Sequence, residues 1–252
     1  MNSQNQASIP DLHRARKILC VQPHYDDNDI GAGGTIAALQ TAGAAIIYLT
    51  VTDDLVGVVD PTLTGEAAAA RLKKEQEEAG SIIGVSEQYW LGYPDAGKYD
   101  YFELRRNIIK FIRLLRPDFL FTVDPWLLYE AHRDHIQAGL AVAEASYLQR
   151  FPRLPSDPEV DRNYEPYDIA GVAFYFTHTP NTIFDITKYR EIKHRAIDVY
   201  RTQFSPGDMA HLHTVLDLKE REWAEGENFS YAEAFKVLRP SHLHVNTDAW
   251  RL

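Results

Sequence analysis

Short apolar runs and longer amphipathic stretches take turns along the first 150 residues. "KILCVQP" (17–23), "AAIIYLTV" (44–51), "EQYWL" (87–91) and "DFLFTV" (118–123) have the length and composition of strands buried on both faces. Between them, "GAGGTIAALQTAG" (31–43) reads as a helix closed by Gly43, and "GEAAAARLKKEQEEAGSIIG" (65–84) as an alanine-rich helix with a solvated charged face. A third helix runs from about Tyr101 to Leu115 and stops before Pro117; "HRDHIQAGLAVAEASYLQR" (132–150) gives a fourth. This alternation predicts an α/β fold, Rossmann-like, with a mostly parallel sheet and helices on both faces. The pattern then loosens. "FPRLPSDPEVDRNYEPYD" (151–168) holds four prolines and reads as a surface loop long enough to suggest a function. "GVAFYFTHTP" and "NTIFDIT" look like further strands, and 188–203 and 208–224 like helices. Without an internal repeat or a clean linker, residues 1–252 are expected to form one domain, with 1–15 a polar lead-in and 225–252 a C-terminal tail.

Composition narrows the partners. Lys+Arg of 26 against Asp+Glu of 36 gives a net charge of −10, which repels phosphate backbones and argues against nucleic acid or an anionic membrane as partner. No apolar run approaches the roughly 20 residues needed to span a bilayer, and "MNSQNQASIPDLHRARK" lacks a signal-peptide apolar region, so a cytoplasmic protein is expected. Cys20, the single cysteine, lies about 13 Å along a strand from His24 and reads as core.

In an open parallel sheet, ligands bind beyond the carboxyl ends of the strands. His24, Asp26 and Asp27 directly follow the first strand, "TDD" (52–54) follows the second, and Asp124, His132, Asp134 and His135 follow the fourth. Two His/Asp clusters about 110 residues apart therefore converge on one rim. Catalytic zinc takes three protein ligands and leaves a position open. One of the adjacent Asp26 and Asp27 can bind the metal while the other takes a proton from water. Of His132 and His135, which share a face at a helix start, one can bind metal while the other faces the reacting carbonyl. "GAGG" lacks the spacing of a dinucleotide fingerprint, and its glycines read better as a close approach of helix to sheet.

"PHYDDNDIGAGGTIA" together with "HRDH" resembles the PIG-L/LmbE-like zinc deacetylases, which remove N-acetyl groups from amino sugars. "RLKKEQEEAGSIIGV", "YWLGYPD", "DPWLLYEAHRDH", "YFTHTPN" and "YRTQF" look like their counterparts in the archaeal diacetylchitobiose deacetylase branch. The resemblance implies one zinc per subunit held by His24, Asp27 and His135, with Asp26 the general base. His132 would stabilise the oxyanion or protonate the leaving amine, with Asp134 holding its ring, and Asp29 would stand behind the ligands or at the helix N-terminus. It further implies substrate contacts from Arg71 and, from a neighbouring subunit, His244; Trp126 could stack on a sugar ring. The implied substrate is N-acetylglucosamine or diacetylchitobiose, and the implied assembly a trimer or hexamer, with the 151–168 loop and the C-terminal tail as the places where its contacts would form. Tyr25 and Arg133 stand where the family usually has proline, which frees the backbone beside the ligands. Rival readings are deacetylation of another amide (a thiol-sugar conjugate or N-acetyl amino acid) and a metal-binding protein without turnover. His178 reads as a core histidine; His211 and His213 are given no role.

Overall fold

The computed structural model describes residues 8–252; residues 1–7 of the expected polar lead-in lie outside it. Alternation within Lys17–Gln22 (β1) sets the layering: Ile18 and Cys20 enter one core and Leu19 and Val21 the other, all fully buried. β1 pairs in parallel with Ala45–Thr52 (β2) on one side and Phe119–Val123 (β4) on the other. Glu87–Tyr93 (β3) continues beyond β2, and Gly171–Tyr175 (β5), Ala232–Leu238 (β7) and Thr182–Asp185 (β6) continue beyond β4. The order is β3-β2-β1-β4-β5-β7-β6, and β7 runs against both its neighbours. The chain reverses its direction of travel across the sheet between β1 and β4, the crevice where α/β folds bind ligands.

Helices Asp27–Thr41 (α1), Gly65–Ile83 (α2) and Arg190–Ile197 (α6) bury Ile36, Leu72, Ile83 and Ala196 against the first face. Tyr101–Leu115 (α3) and Arg133–Leu148 (α4) cover the second with Leu104, Ile108, Ala138 and Val142. The mostly parallel sheet with helices on both faces is as expected. The 151–168 segment contains a five-residue helix, Pro158–Arg162 (α5), and is clamped by buried Arg113. That guanidinium donates to Asp161 at 2.7 Å and to the carbonyls of Gln149, Phe151 and Leu154. Arg113 lies in the last turn of α3, at the edge opposite the strands' carboxyl ends, so this loop is anchored away from the candidate site.

Three local differences from the sequence reading bear on function. α1 begins at Asp27, not near Gly31, because the Asp26 carbonyl already accepts from the Asp29 and Ile30 amides. Its glycines meet crowding: a Cβ on Gly31 would sit 2.2 Å from the Tyr175 ring. α6 stops at Ile197, and the following turns carry Tyr200, Thr202 and Gln203 back towards the rim. Finally, residues 232–238 of the expected tail form β7, a fully buried strand. Glu233 and Lys236 break its apolar pattern, yet both are partnered. Glu233 accepts from the Gly34 and Thr35 amides of α1 and pairs with Lys193 Nζ at 2.8 Å, while Lys236 donates to the Trp250 carbonyl.

The same Lys193 reaches Glu220 at 2.9 Å, on Pro206–Trp223 (α7). Burial alone would raise the Glu220 pKa, but a hydrogen bond from His194 and the Lys193 charge outweigh it and hold the carboxyl at about 2. A folded-state value below the usual 4.5 stabilises the fold above that pH, and the gain is lost as pH falls towards 2. Glu220→Gln should therefore cost on the order of 3 kcal/mol at neutral pH and flatten the stability profile between pH 4.5 and 2. Urea denaturation across that range checks it, and a variant as stable as the parent at pH 6 would contradict it.

Candidate metal centre and active site

The site grows out of the loop between β1 and α1. Gln22, the last residue of β1, grips this loop with both ends of its amide: Oε1 accepts from the Asn28 amide at 2.8 Å and Nε2 donates to the Tyr25 carbonyl at 3.0 Å. Thr52 at the end of β2 donates to the Pro23 carbonyl. Gripped in this way, the loop places His24, Asp26 and Asp27 at the carboxyl edge, where α4 brings His132 and His135 across from β4.

The Asp27 carboxylate spans two imidazoles, with Oδ2 3.3 Å from His24 Nδ1 and Oδ1 3.3 Å from His135 Nε2. Two ligands of a tetrahedral ion at about 2.0–2.1 Å are separated by roughly 3.3–3.4 Å, so each pair taken alone suits a shared cation, through a different Asp27 oxygen for each histidine; Asp27 is not in either donor group that converges within 4.8 Å among the described residues. Donor atoms of His24, His132 and His135 also lie within 4.8 Å of one another. His132, however, stands perpendicular to His24 at 4.6 Å between centroids and is the most exposed of the three. The residues fit a divalent cation on a further ground. Burial disfavours an imidazolium at His24, yet Asp134, Asp27 and Asp95 outweigh it and push its pKa up. A buried ring so surrounded by carboxylates marks an excess of negative charge that a cation would balance. The same fit leaves His24 Nε2 facing Asp95 Oδ1 at 3.3 Å, an orientation that frees Nδ1 for a metal.

Asp26 is buried at the N-cap of α1, and its side chain makes no capping hydrogen bond. Burial, then the charges of Asp27 and Asp54, push its pKa well up, whereas Asp27, despite burial, is lowered by His135 and His24. The two adjacent carboxylates thus differ as a base and a ligand should.

The remaining expected site residues fall in different places. Asp134 Oδ1 accepts from Tyr99 Oη and Oδ2 from the Ala96 amide, both at 2.8 Å, with His24 Nε2 at 3.8 Å and His132 Nδ1 at 4.0 Å. It faces both rings, not His132 alone. Asp29 is fully buried behind the loop, accepting from Tyr48 Oη at 2.7 Å and from Tyr200 Oη, with burial pushing its pKa up to about 6. Arg71 is exposed on α2, where its charge acts on Asp60 and Glu75. Trp126 is half exposed and borders a cavity of about 440 Å³ with Asp124, His178, Lys236 and Trp250. His244 packs at a tilt against Tyr147, with ring centroids 4.9 Å apart; Tyr147 lies twelve residues beyond His135 on α4, or about 18 Å by helix rise. It does not reach its own chain's site. His178 is exposed, contrary to the core reading, and His213 pairs with His194. Sequence reasoning placed Asp54 at the rim within "TDD" but gave it no role, and missed Asp95, Tyr99 and Glu130, whose Oε2 lies 3.4 Å from His135 Nδ1. Their signal was position alone: each follows a strand on the rim that carries the histidines.

A family model described as "PIG-L: GlcNAc-PI de-N-acetylase" matches residues 19–146, the stretch holding both clusters. The diacetylchitobiose deacetylase of Thermococcus kodakarensis is 33% identical over 231 residues, covering 91% of this chain and 86% of its own. The chain belongs to the PIG-L family. It is accordingly an N-deacetylase. Among solved structures, the N,N'-diacetylchitobiose deacetylase of Pyrococcus horikoshii, complexed with its inhibitor MPG, superposes with a TM-score of 0.87 at 35% identity, covering 98% of this chain and 91% of that one. A probable N-acetyl-alpha-D-glucosaminyl L-malate deacetylase of Bacillus anthracis is 31% identical over 85% of this chain and 90% of its own. A 4-carboxy-2-hydroxymuconate hydratase of Pseudomonas putida, 19% identical with a TM-score of 0.71 over 87% of this chain and 95% of that one, shares the fold alone. Fold therefore does not assign the chemistry, which has to be argued from the site.

Proposed function

We propose that the protein hydrolyses the acetamide of a small N-acetylglucosamine-containing sugar, N-acetylglucosamine or diacetylchitobiose, and releases acetate. The observation that carries this reading is the Asp27 carboxylate set between His24 and His135 with Asp26 beside it and His132 opposite. His24, Asp27 and His135 would hold one zinc ion, a Lewis acid for the amide carbonyl that also makes water a stronger nucleophile near neutral pH. Asp26 takes the proton from the attacking water. His132 donates where negative charge develops on the carbonyl oxygen, or protonates the departing amine, and Asp134 helps orient it. Proton and acyl group then balance: water adds to the carbonyl carbon, the C–N bond breaks, and acetate leaves with the free amine as the other product. The likeness to two diacetylchitobiose deacetylases over nearly the whole chain supports that sugar class.

Arg71 and Trp126 are assigned to sugar contacts at the rim, and His244 to the site of a neighbouring subunit in a trimer or hexamer. Its distance from its own chain's histidines favours a role in a neighbouring subunit's site.

The test is acetate release from N-acetylglucosamine and diacetylchitobiose, with zinc measured on the same sample. Release should stop on chelation and return with zinc. Bound zinc without release from either sugar would overturn the substrate assignment. In the same assay, a His244→Ala oligomer that keeps full turnover would remove His244 from the site.

A further inference from the structure

Tyr25 lies between a proposed ligand, His24, and the proposed base, Asp26, and stands where the family pattern has proline. A proline there would fix φ and bring no N–H. Tyr25 brings both a free φ and a buried amide hydrogen that needs an acceptor. Asp54 supplies it: Oδ2 accepts from the Tyr25 amide at 3.0 Å. The same oxygen accepts from Gln203 Nε2 at 2.6 Å, so the carboxylate is itself held by the turn that follows α6. The Tyr25 carbonyl is taken from the other side by Gln22 Nε2 at 3.0 Å and Tyr200 Oη at 2.9 Å.

We propose that Asp54 is a positioning residue, which supplies through this hydrogen bond the constraint on the metal loop that proline would otherwise provide. The proposal rests on the reading of His24 and Asp27 as metal ligands. Both ends of the Tyr25 peptide are tied, and Asp54 is the only acceptor for the N–H end among the described contacts. Without it the peptide can turn about the φ that tyrosine leaves free, and His24 moves with it. Asp54 touches neither the proposed ligands nor, on this reading, substrate; its charge also acts on Asp26 and His24, and the asparagine variant separates that charge from the hydrogen bond.

The experiment is zinc affinity, measured by competition with a chelating dye, in a cycle of four proteins: the parent, Asp54→Ala, Tyr25→Pro and the double variant. Asp54→Ala should weaken zinc by about 10–100-fold, the range for losing a group that orients a ligand. With proline at 25 the amide hydrogen is gone, so adding Asp54→Ala should cost a few-fold at most, and the cycle cancels whatever the lost Tyr25 ring contributes. Equal costs in the two backgrounds would overturn the proposal. Asp54→Asn keeps an acceptor oxygen and should bind zinc within a few-fold of the parent. This comparison decides the matter even if Tyr25→Pro does not fold, because an asparagine variant as weak as alanine overturns it too. A parent protein that binds no zinc would overturn the ligand reading itself, and this proposal with it.

Discussion

Asp26→Asn should keep its zinc and lose about two to four orders of magnitude in the rate of acetate release, the span usual for a missing general base. The substitution is nearly isosteric, and the Asp26 side chain makes no capping bond that asparagine would lose. The backbone carbonyl that opens α1 is untouched, so helix and metal loop should stay in place. What changes is proton affinity. Burial and the neighbouring Asp27 and Asp54 charges make Asp26 a stronger base than a free carboxylate. A bound cation works in the opposite direction, and the balance suits a group that must accept a proton near neutral pH. An amide cannot accept it. The measurement is kcat for acetate release beside zinc content: a variant with bound zinc and undiminished kcat would move the base elsewhere, whereas one without zinc would make Asp26 a ligand.

The elements that position this residue were legible in the sequence where packing is uniform. The strands before the rim are unbroken apolar runs because helices bury both their faces, and that pattern survives as a sequence signal. β7 was not legible, because Glu233 and Lys236 sit in it as charges whose partners come from α6, α1 and the C-terminal residues. A strand whose polar groups are satisfied only by tertiary contacts looks like a surface tail in one dimension. The start of α1 was misplaced for a related reason: Asp27, Asn28 and Asp29 read as loop residues, yet acidic groups suit a helix's first turn. For the site, the paired His/Asp clusters were visible because they share a rim. Asp95, Asp54 and Tyr200 were given no role, although Asp54 was placed at the rim, since single polar residues after strands or in turns carry no spacing rule. Their value comes from what they touch: His24, the Tyr25 amide and the Tyr25 carbonyl.

His132 and His135 stand three residues apart at the start of α4, yet substituting each by alanine should give opposite results for zinc. His135 Nε2 lies 3.3 Å from the carboxylate oxygen of Asp27, while its Nδ1 faces Glu130 at 3.4 Å, so the ring is oriented from behind as metal-binding imidazoles usually are. Removing it takes one of three proposed ligands, and His135→Ala should emerge from dialysis with less than about a tenth of the parent's zinc, with activity at the level of chelated protein. The carboxylate that His132 shares with His24 is Asp134, which lies farther off, 3.8 Å from His24 Nε2 and 4.0 Å from His132 Nδ1, and the His132 ring stands perpendicular to that of His24. His132→Ala should therefore keep its zinc and lose about two to three orders of magnitude in kcat, the usual effect of removing a donor to a developing oxyanion. Zinc content and kcat on the same two preparations separate the roles. If His132→Ala loses its zinc while His135→Ala keeps it, the cation is held by the other set of imidazole and carboxylate donors, His24, Asp95, His132 and Asp134, which also converge within 4.8 Å. Asp26 would then no longer stand beside the ligand carboxylate, and the base would have to be sought next to Asp95.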